Sequence, residues 1–496
     1  MNIAMLLEMA AESLGDRVAV SSPDRGALSY AELLGRSRAA ACLLAELGAE
    51  RLVTVDLNSE AVPVGLFGAA MAAVPYVPLN YRLADSQLVA VLMRVAPAVA
   101  VVDPSRASRV GGGVPGLDLV TRDDLLGARV GAAPPEATDP DAIAVLLFTS
   151  GTTGEPKAAV LRHRHLTAYV LESVEFLGAD PGEAALVSVP PYHVASIAAV
   201  LTSVWSGRRI VYLSQFDPAA WVQTARAEEV THAMVVPTML GRILDVLERD
   251  EGLPALRHLS YGGGRMPAAV VERAMTLLPH VGLVNAYGLT ETSSTVAVLT
   301  AEDHREAFAS REPAARARLG SVGKPLPSLE LEIRDADGRP VATGVRGEIW
   351  VRGEQVSGEY LGRERALNDD GWFPTNDGGR LDDAGYLYVD GRLDDVIVRG
   401  GENISPGEIE DVLLEHPSVA EAAVVGVPDD EWGEAVAAAV VLVDDGRATE
   451  AELQDWVHVH LRSSRRPAQI QIRTELPYNE TGKLLRRELR AELSTS

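Results

Sequence analysis

Between residues 52 and 236 the chain alternates short β-rich apolar runs with stretches of helical periodicity, and this alternation restricts the fold more than any other feature. The runs fall at 52–56, 98–102, 144–148, 209–213 and 233–236. A strand that is apolar on both faces must be covered on both, as parallel strands joined by helical crossovers are. The expected core is therefore α/β and multilayered. From about Gly320 the pattern changes to the every-second-residue alternation of hairpins, as in Gly347-Glu-Ile-Trp-Val-Arg352 and Gly385-Tyr-Leu-Tyr-Val-Asp390. After Gly391-Arg-Leu-Asp-Asp395 the remaining residues read as a small α+β unit. Its helix from Pro406 opens with Glu408, Glu410 and Asp411, where the helix dipole favours acids, and a last helix over 484–493 places Leu485, Leu489 and Leu493 on one face.

A chain of 496 residues has room for two or three domains. The expected division is 1–391 for a large multilayer α/β N-terminal domain with a β-rich subdomain, and 392–496 for a small α+β C-terminal domain. The weakly charged stretch 184–205 is interrupted by Pro190, Pro191 and His193, so it reads as a buried strand, loop and helix and no integral membrane segment is expected. The N-terminus has neither a basic flank nor a long apolar core, which points away from a signal peptide and towards the cytoplasm. The single cysteine, Cys42, excludes an internal disulfide framework.

Charge narrows the function. Lys+Arg 45 against Asp+Glu 70 leaves a net −25, which opposes sequence-independent binding to nucleic acid or anionic lipid. Any phosphate ligand has to be held by local groups. Of the 45 basic residues only three are lysines, Lys157, Lys324 and Lys483. Where arginine does the general basic work, a retained lysine marks a place that needs a compact ammonium on a flexible stem.

One of the three closes the string Thr149-Ser-Gly-Thr-Thr-Gly-Glu-Pro-Lys157, which follows the apolar run 143–148 directly. Thr149, Ser150, Thr152 and Thr153 supply hydroxyl donors, Gly151 and Gly154 let the backbone approach a polyphosphate, and Lys157 adds a mobile charge. A Walker A loop would need glycine at Pro156 and serine or threonine at Ala158. By itself a Gly/Ser/Thr cluster is equally well read as a polar turn between a strand and a helix.

Further strings follow in a fixed order: Pro190-Pro-Tyr-His-Val194, Tyr287-Gly-Leu-Thr-Glu-Thr292, Gly371-Trp-Phe-Pro-Thr-Asn-Asp377, Gly391-Arg-Leu-Asp-Asp395, Gly400-Gly-Glu-Asn-Ile-Ser-Pro406 and Pro477-Tyr-Asn-Glu-Thr-Gly-Lys483. Together with the 149–157 string they make the chain resemble the adenylate-forming superfamily of acyl-CoA synthetases, peptide-synthetase adenylation domains and luciferases, over essentially its whole length. The resemblance implies joining of a carboxylate to AMP with loss of pyrophosphate, then transfer of the acyl group to a thiol. It also implies that the C-terminal domain is a mobile lid.

Residue by residue, the resemblance implies that Thr290 bonds the α-phosphate and that Glu291 holds Mg2+. Asp377 and Arg392 take the ribose, and the adenine lies against Gly262, Gly263, Gly264 and Tyr287. Asn376 stands where the family commonly has glycine, which leaves the local turn open. Lys483 bridges carboxylate and phosphate in the first step, Asp394 is the hinge, and Gly400, Gly401 and Glu402 form the loop that serves the thioester step. His193 matches an aromatic gate. Lys324 is given a structural role.

The segment 192–196 has no acid to hold an α-amino group, so an amino-acid substrate is disfavoured. Small residues at Ala195, Ser196, Ala198 and Ala199 together with the glycines 262–264 suggest room for a hydrophobic acid, whether fatty, aryl or polycyclic. Arg265, after those glycines, is expected to meet a polar group of the substrate or to point to solvent. The implied activity is that of an ATP-dependent acyl-CoA synthetase using ATP, Mg2+ and CoA; the alternative thiol is a carrier-protein pantetheine.

Overall fold

Neighbouring strand residues enter opposite hydrophobic layers, and this alternation builds the body of the protein. The computed structural model describes residues 1–22, 26–103, 107, 114–131, 138–149, 156–247, 252–429, 431–443, 446–478 and 484–494. In the strand Leu52–Val55, Leu52 enters one core whereas Val53 and Val55 enter another; in Ala98–Val102, Val99 and Val101 follow Leu52, and Ala98, Ala100 and Val102 go the other way. Both belong to a six-stranded sheet in the order Leu117–Thr121, Ala98–Val102, Leu52–Val55, Tyr76–Pro78, Ile143–Thr149, Lys157–Arg162. Every neighbour is parallel except the last pair.

A nine-stranded sheet faces it. Its parallel centre runs Gly282–Leu289, His258–Gly262, His232–Val235, Ala184–Val187, Arg209–Tyr212, Val18–Ser22. Antiparallel strands border it, Ser294–Leu299 and Lys324–Pro325 at one edge and Gly26–Ser29 at the other. Helices Ala4–Leu14, Tyr30–Glu46, Ala61–Met71 and Val194–Ser206 fill the space between the sheets, sharing one core with Val20 and Ile210 of one and Leu52 and Val99 of the other. Ala61–Met71 is buried at every position but the last and has no polar face, as befits a helix covered on all sides. The expected multilayer α/β class is the observed one.

The stretch 184–205 is a strand, a proline-bearing loop and a helix, and among the described residues no helix is long and apolar enough to cross a membrane. The strand Leu52–Val55 ends one residue short of the run 52–56, where Asp56 turns its carboxylate onto the Arg122 guanidinium in a buried two-point pair. The 149–157 string does not lead into a helix. Thr149 and Lys157 are register partners of two antiparallel strands, and the helix His163–Ser173 begins only after the second.

Strands Glu330–Arg334, Gly347–Arg352, Phe373–Leu381 and Leu387–Arg392 form an antiparallel four-stranded sheet, the β-rich part. Residues 397–473 supply a five-stranded sheet, with helices Pro406–Leu414 and Glu450–His460 on one face and Arg486–Leu493 on the other. That last helix starts two residues later than its apolar spacing suggests, because Leu484 bridges back to Tyr478. Leu489 and Leu493 are buried as expected.

Phe67 is fully buried on the helix between the sheets, so Phe67→Ala leaves a cavity in the core and is expected to cost about 3–5 kcal/mol in denaturant unfolding. Val459→Ala, at a side chain 80% exposed, should fall within about 0.5 kcal/mol of the parent in the same measurement.

Candidate active site

The site is assembled where one segment of the four-stranded-sheet region ties the two body sheets together. Val160 N donates to Glu359 O (2.9 Å) and Leu361 N to Ala158 O (2.9 Å), so 359–361 runs along the strand that starts at Lys157. A few residues earlier, Ser357 N donates to Glu291 O (2.8 Å), and Gln355 Nε2 donates to the carbonyls of Thr292 (2.9 Å) and Thr295 (2.8 Å). The turn Thr290–Thr292 that ends strand Gly282–Leu289 is thereby fixed against the strand that leaves the 149–157 string. Arg162 clamps the same segment through Glu359, Nη2 to Oε1 at 2.6 Å.

This arrangement brings both Lys157 and Glu291 to Tyr360, one to its ring and the other to its hydroxyl. The Tyr360 hydroxyl donates to Glu291 Oε1 at 2.6 Å, and Lys157 Nζ stands 5.5 Å from the centre of its ring. Glu291 is buried, at 8% exposure. Thr290, at the head of the turn, is only half-buried.

A second cluster forms on the facing strands. Asp377 and Arg392 are cross-strand partners, Arg392 Nε lies 3.1 Å from Asp377 Oδ1, and Arg392 Nη1 donates to Thr375 O at 2.8 Å. The Tyr287 hydroxyl donates to the other Asp377 oxygen at 2.6 Å. Burial, and next the charge of Asp377, push the Tyr287 phenol well above its ordinary value; burial and then Glu291 do the same to Tyr360. Both tyrosines therefore stay neutral donors to a carboxylate.

Tyr287 continues the strand next to His258–Gly262, whose end carries the glycines 262–264. A Cβ on Gly262 would lie 2.3 Å from Ala286 O, so only glycine lets these two strand ends lie so close. Strand ends of this kind, at the carboxyl edge of a parallel sheet, are where α/β folds take their ligands. His193 caps the helix Val194–Ser206 from outside, its ring tilted against Tyr192 at 6.2 Å. Ala195 and Ala198 are packed into the core between the sheets, which leaves Val194 and Ala199 as the part-exposed apolar positions of that helix.

Ser150, Gly151, Thr152, Thr153, Gly154 and Lys483 lie outside the described residues. Their flanks are well placed. Thr149 Oγ1 donates to Lys157 O at 3.4 Å across the base of the first loop. On either side of 479–483, Tyr478 and Leu484 form an antiparallel bridge and Leu485 N donates to Pro477 O (2.8 Å). Arg486, at the head of the last helix, makes two bonds to Glu410 (2.6 and 2.9 Å) and one to Val424 O (2.6 Å), and lies 3.6 Å from Asp395.

Asp394 sits in the short turn Leu393–Asp395. Asn376 answers the open question about its turn. Its φ of +59° is left-handed, a conformation asparagine tolerates better than most residues, and its Nδ2 donates to Asp394 Oδ2 at 2.8 Å. Gly400 and Gly401 both have positive φ, +56° and +82°, the pattern of a two-residue type I′ hairpin turn between Ile397–Arg399 and Glu402–Ile404. The structure does not bring this turn to the Asp377 cluster; Gly400 lies against Trp432, and Glu402 pairs with Arg465. Lys324 is also apart, over the Tyr386 ring at 4.7 Å. Arg265 does not point freely to solvent but pairs with Asp411 of the helix Pro406–Leu414. The pairing roles of Tyr360, Asn376 and Arg265 carry no local sequence signal, because each partner is distant in the chain.

Residues 7–361 match the model of the AMP-binding enzyme family, and 408–483 match that of the AMP-binding enzyme C-terminal domain. This chain belongs to the AMP-binding enzyme family. Within it, a feruloyl-CoA synthase of Amycolatopsis sp is 33% identical over 472 residues, 94% of each chain. A 2-succinylbenzoate–CoA ligase of Bacillus licheniformis is 32% identical over 493 residues, 97% of this chain and 98% of that one. The o-succinylbenzoate coenzyme A synthetase MenE of Bacillus subtilis, solved with ATP and magnesium ion, superposes with a TM-score of 0.85 at 30% identity, covering 98% of both chains. The family membership agrees with the superfamily that the ordered motifs resemble.

Asn376→Gly keeps the left-handed turn and is expected to leave AMP affinity within about twofold by calorimetric titration. Asn376→Val places a β-branched residue at φ +59°, a strain of order 1–3 kcal/mol, and should lower both AMP affinity and the thermal midpoint.

Proposed function

We propose that the protein is an AMP-forming carboxylate–CoA ligase that activates a hydrophobic acid, of aryl or fatty type, through an acyl-adenylate. The observation that carries this reading is the meeting of Lys157 and Glu291 at one tyrosine, beside Asp377 held by Tyr287 and Arg392, in a chain related over almost its full length to CoA ligases. Attack of a carboxylate on the α-phosphate brings two anions together, so positioning and charge neutralisation have to supply the rate. Asp377, an acceptor only, takes the two ribose hydroxyls, with Arg392 fixing its orientation. Tyr287 and the glycines 262–264 border the adenine, Thr290 donates to the α-phosphate, and Thr149 to Gly154 with Lys157 hold the outer phosphates.

Glu291 would hold Mg2+ through its carboxylate, a hard oxygen donor of the kind this cation prefers. When bound, Mg2+ neutralises phosphate charge. Lys483 bridges the incoming carboxylate and the α-phosphate; the carboxylate oxygen bonds to phosphorus and pyrophosphate leaves.

For the second step residues 392–496 act as a lid that turns on the body 1–391 about Asp394, exchanging the Lys483 loop for Gly400, Gly401 and Glu402 beside the adenylate. His193 gates the passage. The thiol sulfur then bonds to the acyl carbon, AMP leaves with the pair of electrons, and the thiol proton passes to solvent or phosphate. CoA is favoured over a carrier-protein pantetheine because both full-length relatives are named for CoA. An aryl or fatty acid is favoured by the acid-free segment 192–196 and by the aryl acids in those relatives' names. The cytoplasm, where ATP and CoA are supplied, is the compartment this chemistry calls for.

In an ATP–pyrophosphate exchange panel, aryl and medium-chain fatty acids should support exchange, and acetate, propionate and amino acids should not; activity confined to the latter group contradicts the substrate assignment. Lys483→Ala should abolish exchange while retaining thioester formation from supplied acyl-adenylate and CoA. Equal loss of both half-reactions contradicts the role given to Lys483.

A further inference from the structure

Tyr360 lies in none of the motif strings, yet it is the point at which the two phosphate-handling groups meet. Its backbone is held on both sides, since Glu359 O accepts from Val160 N, Leu361 N donates to Ala158 O, and residues 159 and 360 form an antiparallel bridge. The neighbouring Arg162–Glu359 pair, partly buried, stops the segment from sliding along the strand. With the main chain fixed, the ring stands between Lys157 Nζ, 5.5 Å from its centre, and Glu291 Oε1, 2.6 Å from its hydroxyl. An O–H donor to a carboxylate at that length is at the strong, charge-assisted end of hydrogen bonds. It engages one carboxylate oxygen and fixes the plane of the group, and among the described residues Glu291 Oε2 draws no hydrogen bond.

We infer that Tyr360 is a positioning residue with two separable functions: its hydroxyl orients the Glu291 carboxylate for Mg2+, and its ring face holds the Lys157 ammonium where the outer phosphates lie. The inference rests on the roles proposed above for Glu291 and Lys157. A partner that orients a metal-binding carboxylate tunes affinity without touching the metal. A ring face attracts an ammonium without using a hydroxyl. The two functions therefore belong to different atoms of one side chain and can be removed one at a time.

The test is ATP binding to the full chain, measured by titration calorimetry in EDTA and across a Mg2+ series, for the parent, Tyr360→Phe and Tyr360→Leu. Tyr360→Phe keeps the ring and loses the hydroxyl. It should keep most of the metal-free ATP affinity that Tyr360→Leu loses, lower the thermal midpoint because a buried carboxylate loses a donor, and raise the Mg2+ concentration for half-maximal enhancement about tenfold. Tyr360→Leu should show the same Mg2+ shift and in addition weaken metal-free ATP binding several-fold, a loss that the Phe variant restores. An unchanged Mg2+ midpoint in Tyr360→Phe overturns the inference, as does a loss of metal-free affinity equal in the Phe and Leu variants. If the parent itself binds ATP with no Mg2+ dependence, the role given to Glu291 fails first; a Mg2+-dependent parent with an indifferent Phe variant refutes Tyr360 alone.

Discussion

A buried carboxylate needs donors in place of the water it has lost, and the site depends on two such groups. Asp377 and Glu291 are 7% and 8% exposed, and each receives a tyrosine hydroxyl at 2.6 Å, from Tyr287 and Tyr360 respectively. The tyrosines in turn are set by backbone pairing: Tyr287 by the parallel strand that ends in Gly262, Tyr360 by the strand that begins at Lys157. Sheet registry thus fixes both acceptor groups, the ones to which the proposed function gives the ribose and Mg2+. This is preorganisation in the sense that matters for a reaction between anions, because the cost of ordering the groups is met in folding rather than at each turnover.

The same logic explains how a chain with a net charge of −25 can handle a polyphosphate. Its cations are not pooled. Arg162, Arg392 and Arg486 each hold a carboxylate that shapes the site or its hinge, namely Glu359, Asp377 and Glu410. In the reading proposed above, Lys157 and Lys483 are the flexible charges that meet phosphate, whereas Lys324 lies over the Tyr386 ring. The C-terminal unit meets the body through polar contacts, among them Arg265 with Asp411, Ser405 Oγ with Asp390 O at 2.8 Å, and Asn376 Nδ2 with Asp394 Oδ2 at 2.8 Å. Contacts of this polar kind can be exchanged for others when a domain turns, whereas a shared hydrophobic core cannot.

Much of the fold was legible because burial on both faces leaves a mark in composition. The runs 52–56, 98–102 and 209–213 read as parallel strands, and they are such strands to within a residue. The run 158–162 was not legible as a strand. Its residues, Ala158, Ala159, Val160, Leu161 and Arg162, carry little β preference, and the strand owes its state to pairing with 143–149 and with 359–361. Asp377, Arg392 and Glu291 were legible from motif strings because each string has a fixed local spacing. Tyr360 was not, since its partners stand 69 residues away at Glu291 and on another strand at Lys157. Arg265 looked like an unexplained cation because Asp411 lies 146 residues further on. Pairings of that range are set by topology, which no local window contains.

The central claim is that a carboxylate oxygen of the substrate attacks the α-phosphate before any thiol is acylated. The most direct measurement uses an aryl acid labelled with heavy oxygen in its carboxylate, turned over with ATP, Mg2+ and CoA, with all products weighed by mass spectrometry. Attack by the carboxylate on the α-phosphate puts one heavy oxygen in AMP and none in pyrophosphate, and leaves an acyl-CoA that has lost that atom. Label in orthophosphate together with ADP, or acyl-CoA formed with unlabelled AMP, would contradict it.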